Sequence, residues 1–176
     1  PNRVDRWQHY AALSTEGVAA GANLLEARKD YAESVPTTLR VHGDERTDVL
    51  CVDDDPNFAE LTAKMLELRS DRIDATPVDS PRVALDRLRE SGVDCVVSDY
   101  DMPEMDGLSF LSEARAVDSD LPFVLFTGKG SEEIAGEAIR AGVSDYIQKG
   151  AGRERYDLLT RRVENASEQA RERRRR

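Results

Sequence analysis

Val49-Leu50-Cys51-Val52-Asp53-Asp54-Asp55 is a short apolar run that ends abruptly on three carboxylates. The pattern recurs down the chain. Cys95-Val96-Val97-Ser98 leads into Asp99, Phe123-Val124-Leu125-Phe126 into Thr127, and Tyr146-Ile147-Gln148 into Lys149. Apolar runs of this length predict buried strands, here Asp48–Val52, Ile73–Val78, Asp94–Ser98, Pro122–Thr127 and Asp145–Gln148. Helical patterns fall between and after them, at Pro56–Arg69, Pro81–Glu90, Gly107–Ala116, Glu132–Ala141 and Arg153–Arg171. Such βα alternation implies a parallel sheet covered on both faces. Asp55-Pro56 and Ser80-Pro81 mark two helix starts, with a side-chain oxygen at the N-cap and proline in the first turn, where its missing N–H is not needed. Gly92 and Gly142 are expected to end the second and fourth helices as left-handed C′ residues.

In an open parallel sheet, ligands bind outside the carboxyl ends of the strands. Those ends carry carboxylates, a hydroxyl and one ammonium. Three or more carboxylates in one cleft repel one another unless a cation compensates, and an all-oxygen donor set selects a hard divalent ion, Mg²⁺ first. A helix-capping role explains Asp55 but leaves Asp53 and Asp54 repelling each other. Lys149 read alone is a solvent-facing lysine, and Thr127 read alone a β-branched strand residue.

Taken together, Asp53-Asp54, Asp99-Tyr100-Asp101-Met102-Pro103, Met105-Asp106-Gly107, Thr127 and Lys149 resemble, in order and spacing, a two-component response-regulator receiver domain. The likeness covers about residues 47–170. It implies an α/β, doubly wound, five-stranded parallel sheet of order 2-1-3-4-5 with helices on both faces, the flavodoxin-like receiver fold. It also implies that Asp99, the first Asp of Asp-x-x-Met-Pro, is the phosphoacceptor. Asp54 would bind Mg²⁺ directly, Asp53 through water and Asp101 mainly through its backbone carbonyl, with Asp99 also belonging to the metal site. Lys149 would pair with a phosphoryl oxygen, and Thr127 would donate its hydroxyl to the phosphoryl group, with Gly128 leaving room beside it. Thr127 and Tyr146 would be the switch residues, although Tyr146 also fits a plain half-buried tyrosine. One departure stands out. Gly150 follows the lysine where receivers usually carry a cis proline, so a looser loop around Lys149 is expected.

Two other readings use the same residues. Val96-Val97-Ser98-Asp99-Tyr100-Asp101 resembles the Asp-x-Asp motif of haloacid-dehalogenase-type phosphatases. Those enzymes place the motif on an early strand and add acids after the lysine, whereas here the acids lie upstream at Asp53-Asp54. The second alternative is a receiver-shaped interaction module that works without phosphorylation.

The remainder of the chain sets bounds. With 176 residues there is room for one ordinary domain and an extension. Residues 1–46 are expected to form a helical extension and linker, 47–152 the receiver core, and 153–176 the last receiver helix with a basic linker or tail. That tail ends in Arg173-Arg174-Arg175-Arg176 and is expected to fray into solvent. No apolar stretch reaches the roughly 20 residues that span a bilayer, and no export signal opens the sequence, so a cytoplasmic protein without membrane contact is expected. Cys51 and Cys95 fall within buried strands and are expected to be core residues.

A net charge of −10 argues against general nucleic-acid binding, and no direct DNA contact is expected. The chain has only four lysines, Lys29, Lys64, Lys129 and Lys149, against a large excess of acids, a composition resembling proteins of salt-loving archaea. Phe126-Thr127-Gly128-Lys129-Gly130-Ser131-Glu132-Glu133 is likewise similar to haloarchaeal receivers. The resemblance implies a sensor histidine kinase as phosphodonor. About twenty residues follow the receiver core, too few for a DNA-binding winged helix, so a downstream protein or a linked sensory or kinase module is expected to take the output. A homodimer is among the expected assemblies.

Overall fold

The computed structural model describes residues 46–128, 132–150 and 152–176. The helical extension expected over 1–46 lies, except for Arg46, outside these residues. Among the described residues five strands and five helices alternate: β1 (Thr47–Val52), α1 (Pro56–Arg69), β2 (Ile73–Val78), α2 (Pro81–Glu90), β3 (Cys95–Ser98), α3 (Gly107–Val117), β4 (Phe123–Thr127), α4 (Glu132–Ala141), β5 (Asp145–Gln148) and α5 (Arg153–Arg175). All strands are parallel, in the order β2-β1-β3-β4-β5. This is the doubly wound sheet that the apolar runs and the family resemblance imply.

Successive residues of a strand point to opposite faces, and both faces are buried here. Leu50, Val52, Val96, Phe123 and Leu125 pack with Ala84 and Leu85 of α2, Phe110, Leu111 and Ala114 of α3, and Ala138 of α4. Val49, Cys51, Cys95, Val97, Val124, Phe126 and Ile147 pack on the other side with Ala63 and Leu66 of α1 and Tyr156, Leu159 and Val163 of α5. Phe110 meets Phe123 edge-on, with ring centres 5.4 Å apart, at the centre of the first layer. Cys51 and Cys95 are buried free thiols. Burial pushes both thiols up, Cys95 to about 12, so neither forms the reactive thiolate at neutral pH.

On the β2 edge of the sheet two residues interrupt the row of outward-facing donors. The carbonyls of Arg72 and Val78 accept bonds from Thr47 and Asp53 of the β1 segment, so Ala75 and Pro77 direct their backbone outward. The fully buried Glu67 of α1 accepts the Ala75 N–H at 2.9 Å, and Pro77 has no N–H to present. An edge so covered offers little to an incoming strand.

Helix boundaries show where local chemistry and tertiary contact decide. Asp55 and Ser80 cap α1 and α2 through the N–H groups of Asn57 and Val83, as their sequence contexts predict. Asp106 caps α3 in the same way, accepting from Ser109 N at 2.7 Å. Gly142 takes a left-handed φ of 86° after α4. Gly92 does not, contrary to expectation. Ser91 ends α2 in an extended conformation (φ −141°) while its N–H still reaches Arg87 O, so no left-handed residue is needed. The basic tail also departs from its expected fraying, since α5 runs to Arg175. Arg174 pairs with Asp118 at 2.6 Å, and Arg171 donates to Thr47 Oγ1 at 2.9 Å, which fastens the last turns to the sheet's base.

Candidate phosphoryl and cation site

The strand ends place the expected residues side by side because backbone pairing continues past the regular strands. Asp53 N–H bonds to Val78 O (3.1 Å), Asp99 N–H to Val52 O (2.9 Å), and Lys149 N–H to Thr127 O (2.8 Å). Each site residue is thus fixed by its neighbouring strand. Carboxylate oxygens of Asp53, Asp54 and Asp99 all lie within 4.8 Å of one another. Asp53 is 5% exposed and Asp99 9%, while Asp54 opens to solvent.

Each carboxylate is held by defined partners. Asp53 Oδ1 accepts the N–H of Asp55 at 2.9 Å, and its Oδ2 accepts from Lys149 Nζ at 2.7 Å. Asp99 Oδ1 accepts the Tyr100 N–H at 2.8 Å, and its Oδ2 lies 3.5 Å from Lys149 Nζ. Burial pushes the Asp53 carboxyl above its usual range and proximity to Asp99 adds to this, against the lowering effect of the bonds from Lys149 and the Asp55 N–H. A buried carboxylate so destabilised, beside two others and with oxygen-only donors, suits a hard divalent cation.

The other expected residues are less uniform. Thr127 is 1% exposed at the tip of β4. Tyr146 is half-buried on β5 and packs against the layer containing α2, α3 and α4, where desolvation raises its hydroxyl pKa. Asp101 stands exposed on the loop after β3, and its carboxylate is not part of the three-acid group. A Cβ at Gly128 would make only ordinary contact, 3.8 Å from Lys149 Cδ. Lys149 is anchored at its backbone and at its ammonium despite Gly150, so the looseness expected of this loop does not extend to the lysine itself.

Two neighbours have roles at the site that the sequence did not disclose, although Gly107 belongs to the Met105-Asp106-Gly107 motif. Phe58, in the first turn of α1, presents its ring 4.0 Å from Lys149 Nζ. The only sequence signal is an aromatic residue one turn after the acidic pair. Gly107 opens α3 against the backbone carrying the phosphoacceptor candidate. A Cβ there would lie 2.6 Å from Asp99 O and 2.9 Å from Tyr100 Cα, and its N–H bonds to Tyr100 O at 2.7 Å. Its position directly after an N-cap aspartate hints at a helix start but not at this steric role.

Known proteins resemble this chain in sequence and in fold. The family model described as "Response regulator receiver domain" matches residues 49–161. The C4-dicarboxylate transport transcriptional regulatory protein DctD of Pseudomonas aeruginosa is 36% identical over 107 residues, which is 60% of this chain and 22% of that protein. This chain therefore spans about a fifth of the length of that relative. Among solved structures, the receiver domain of Francisella response regulator 1452 superimposes with a TM-score of 0.62 at 27% identity, covering 70% of this chain and 98% of that one. The beryllofluoride-activated NtrC4 receiver domain dimer gives 0.60 at 28% identity, with 70% and 98% covered. The expectation of no DNA contact finds no support in a relative named as a transcriptional regulator. A family match over more than half the sequence, on the fold and acidic cleft described above, places this chain in the response-regulator receiver family.

Proposed function

We propose that the chain accepts a phosphoryl group on Asp99 in a Mg²⁺-dependent phosphorelay, with a sensor histidine kinase as donor. The observation that carries this reading is the convergence of Lys149 Nζ on Asp53 and Asp99 within a three-carboxylate group. An Asp99 carboxylate oxygen attacks phosphorus, the new O–P bond forms as the P–N bond to the donor imidazole breaks, and the electron pair returns to that nitrogen. The arriving group is strongly anionic and needs neutralisation. Lys149 supplies a point charge, Thr127 a hydroxyl donor, and the remaining acids hold the ion: Asp54 directly, Asp53 through water, and Asp101 by its carbonyl. Bound there, Mg²⁺ supplies electrostatic stabilisation of the transferring group.

Output follows from Thr127 and Tyr146. A phosphoryl group drawing the Thr127 hydroxyl inward vacates space into which the half-buried Tyr146 turns, shifting the populations of the α4–β5 face. That face then binds a downstream protein or a linked sensory or kinase module. A homodimer is one such assembly, in line with the dimeric relative above. Among the described residues no helix is long and apolar enough to cross a membrane. The acidic, lysine-poor surface suits a brine-adapted cytoplasm. We assign 47–152 to the receiver core and 153–176 to its last helix and tail.

Intact-mass measurement after incubation with acetyl phosphate tests the reading. One phosphoryl group per chain, added only with Mg²⁺, is expected. Multiple turnover of a phosphate monoester would instead make the protein a phosphatase, a reading disfavoured by the placement of Asp101 outside the acid group.

The raised Asp53 pKa sets a pH dependence. Below the unfolded-state value of about 3.9 Asp53 is protonated in both states, and between that value and its higher folded-state pKa the folded protein binds the extra proton. Stability of the metal-free protein therefore falls as pH rises through that window. Mg²⁺ reverses this above the window, since the ion needs ionised carboxylates. At a concentration of ~100 times its Kd it adds about 2.7 kcal/mol, read as a raised Tm at neutral pH that shrinks as the pH falls towards 4. An equal Tm gain in Asp54→Ala would remove this site as its origin.

A further inference from the structure

Lys149 serves the phosphoacceptor reading only if its ammonium stays beside Asp99 when Asp53 is engaged elsewhere. Asp53, whose Oδ2 lies 2.7 Å from Nζ, belongs to the carboxylate group suited to a cation, and a carboxylate that also accepts from the ion's water holds the ammonium less firmly. A second holder is in place. The ammonium lies 4.0 Å from the centre of the Phe58 ring, within the range over which the ring quadrupole attracts a cation. The lysine side chain is only 18% exposed, so this attraction is weakly screened.

The ring is itself fixed. Phe58 belongs to the first turn of α1, which the Asp55 cap pins directly after the acidic pair. It meets Phe126 of β4 at 6.1 Å and 45°, next to Thr127. Phe126 in turn meets Tyr156 of α5 edge-on at 5.9 Å, and the Arg69 guanidinium lies 5.6 Å from the Tyr156 ring centre. Arg69 is held by Asp157 at 2.7 Å. This row of rings joins α1, β4 and α5 beneath the site.

We propose that Phe58 is a positioning residue that holds Lys149 beside Asp99 independently of Asp53. An aromatic face carries no net charge and is no ligand for a hard divalent ion, so the ion does not compete for it. The Lys149 N–H bond to Thr127 O fixes the backbone end of the residue, and the ring holds its ammonium. The functional consequence rests on the phosphoacceptor reading of Asp99; the placement of Lys149 does not.

The test uses the whole chain grown with lysine carrying ¹³C at Cε, in which only four lysines give signals and Lys149→Arg assigns the one of interest. In the wild type, the Lys149 methylene protons are expected to be shifted upfield by the Phe58 ring current, with and without saturating Mg²⁺. Phe58→Leu should return them to the position of exposed lysines, and Phe58→Tyr should keep the shift. With acetyl phosphate at saturating Mg²⁺, Phe58→Leu should be labelled about three- to tenfold more slowly, with the half-saturating Mg²⁺ concentration unchanged, and Phe58→Tyr at close to the wild-type rate. Phe58→Met, similar in volume but without a ring, replaces the leucine variant if that one melts early. A signal that ignores loss of the ring, or a shift that vanishes when Mg²⁺ is added, overturns the proposal, as does wild-type labelling speed in Phe58→Leu. If the wild type takes up no phosphoryl group, the phosphoacceptor reading fails instead, while the resonance still decides whether Phe58 holds Lys149.

Discussion

Asp99→Asn is expected to lose acetyl-phosphate labelling by at least on the order of 10³-fold while remaining folded. The amide keeps the shape of the side chain and can still accept the Tyr100 N–H that Asp99 Oδ1 accepts at 2.8 Å. It lacks the anionic oxygen that attacks phosphorus. Removing that charge also relieves Asp53, whose carboxyl is pushed up partly by its neighbour. The metal-free Tm of the variant should therefore equal or exceed that of the wild type. Thermal melting and intact-mass labelling on the same preparation check both halves. Persistent labelling of this variant would remove Asp99 from its role, and an unfolded variant would contradict the local geometry.

Gly107→Ala should be the most damaging single methyl in the site. The added carbon would lie 2.6 Å from Asp99 O, 2.8 Å from Leu125 Cδ1 and 2.9 Å from Tyr100 Cα, and two of these three atoms are backbone. Backbone does not step aside as a flexible side chain does, so the cost falls near the upper end of overpacking, about 3 kcal/mol, against a gain of at most ~1 kcal/mol in helix propensity. A Tm lowered by roughly 10 °C is expected. Because relief requires the Asp99–Tyr100 segment or the start of α3 to move, labelling should fall as well. Unchanged melting together with unchanged labelling would show that the close approach is not maintained in solution. Gly128→Ala serves as the contrast, since its Cβ meets only Lys149 Cδ at 3.8 Å.

The contrast between these two glycines reflects what a sequence can and cannot convey. Asp53, Asp99, Thr127 and Lys149 were legible because each directly follows an apolar run, and parallel topology sends every such run to the same side of the sheet. The caps at Asp55 and Ser80 were legible because capping is a local bond between residues two or three apart. Phe58 was not, because its contact with Lys149 joins distant parts of the chain and leaves no periodic trace. The ordered end of α5 was hidden for the same reason. Its anchors, Arg174 to Asp118 and Arg171 to Thr47, span 56 and 124 positions, while composition alone describes an arginine run as solvated. Gly92 misled in the opposite direction. A glycine after a helix favours a left-handed exit, but Ser91 had already ended α2 in an extended conformation. Long-range contacts, rather than weak local signals, account for most of what the sequence withheld.

We propose that the ends of β1, β3, β4 and β5 form one Mg²⁺-dependent phosphoryl acceptor, with Asp99 as the attacking group. Borohydride trapping after acetyl-phosphate treatment, followed by peptide sequencing, tests it most directly, because reduction of an acyl phosphate marks the modified carboxylate permanently. The predicted result is a single reduced residue at position 99, formed only when Mg²⁺ is present. Trapping at Asp53, Asp54 or Asp101, or equal trapping in the presence of a chelator, would contradict it.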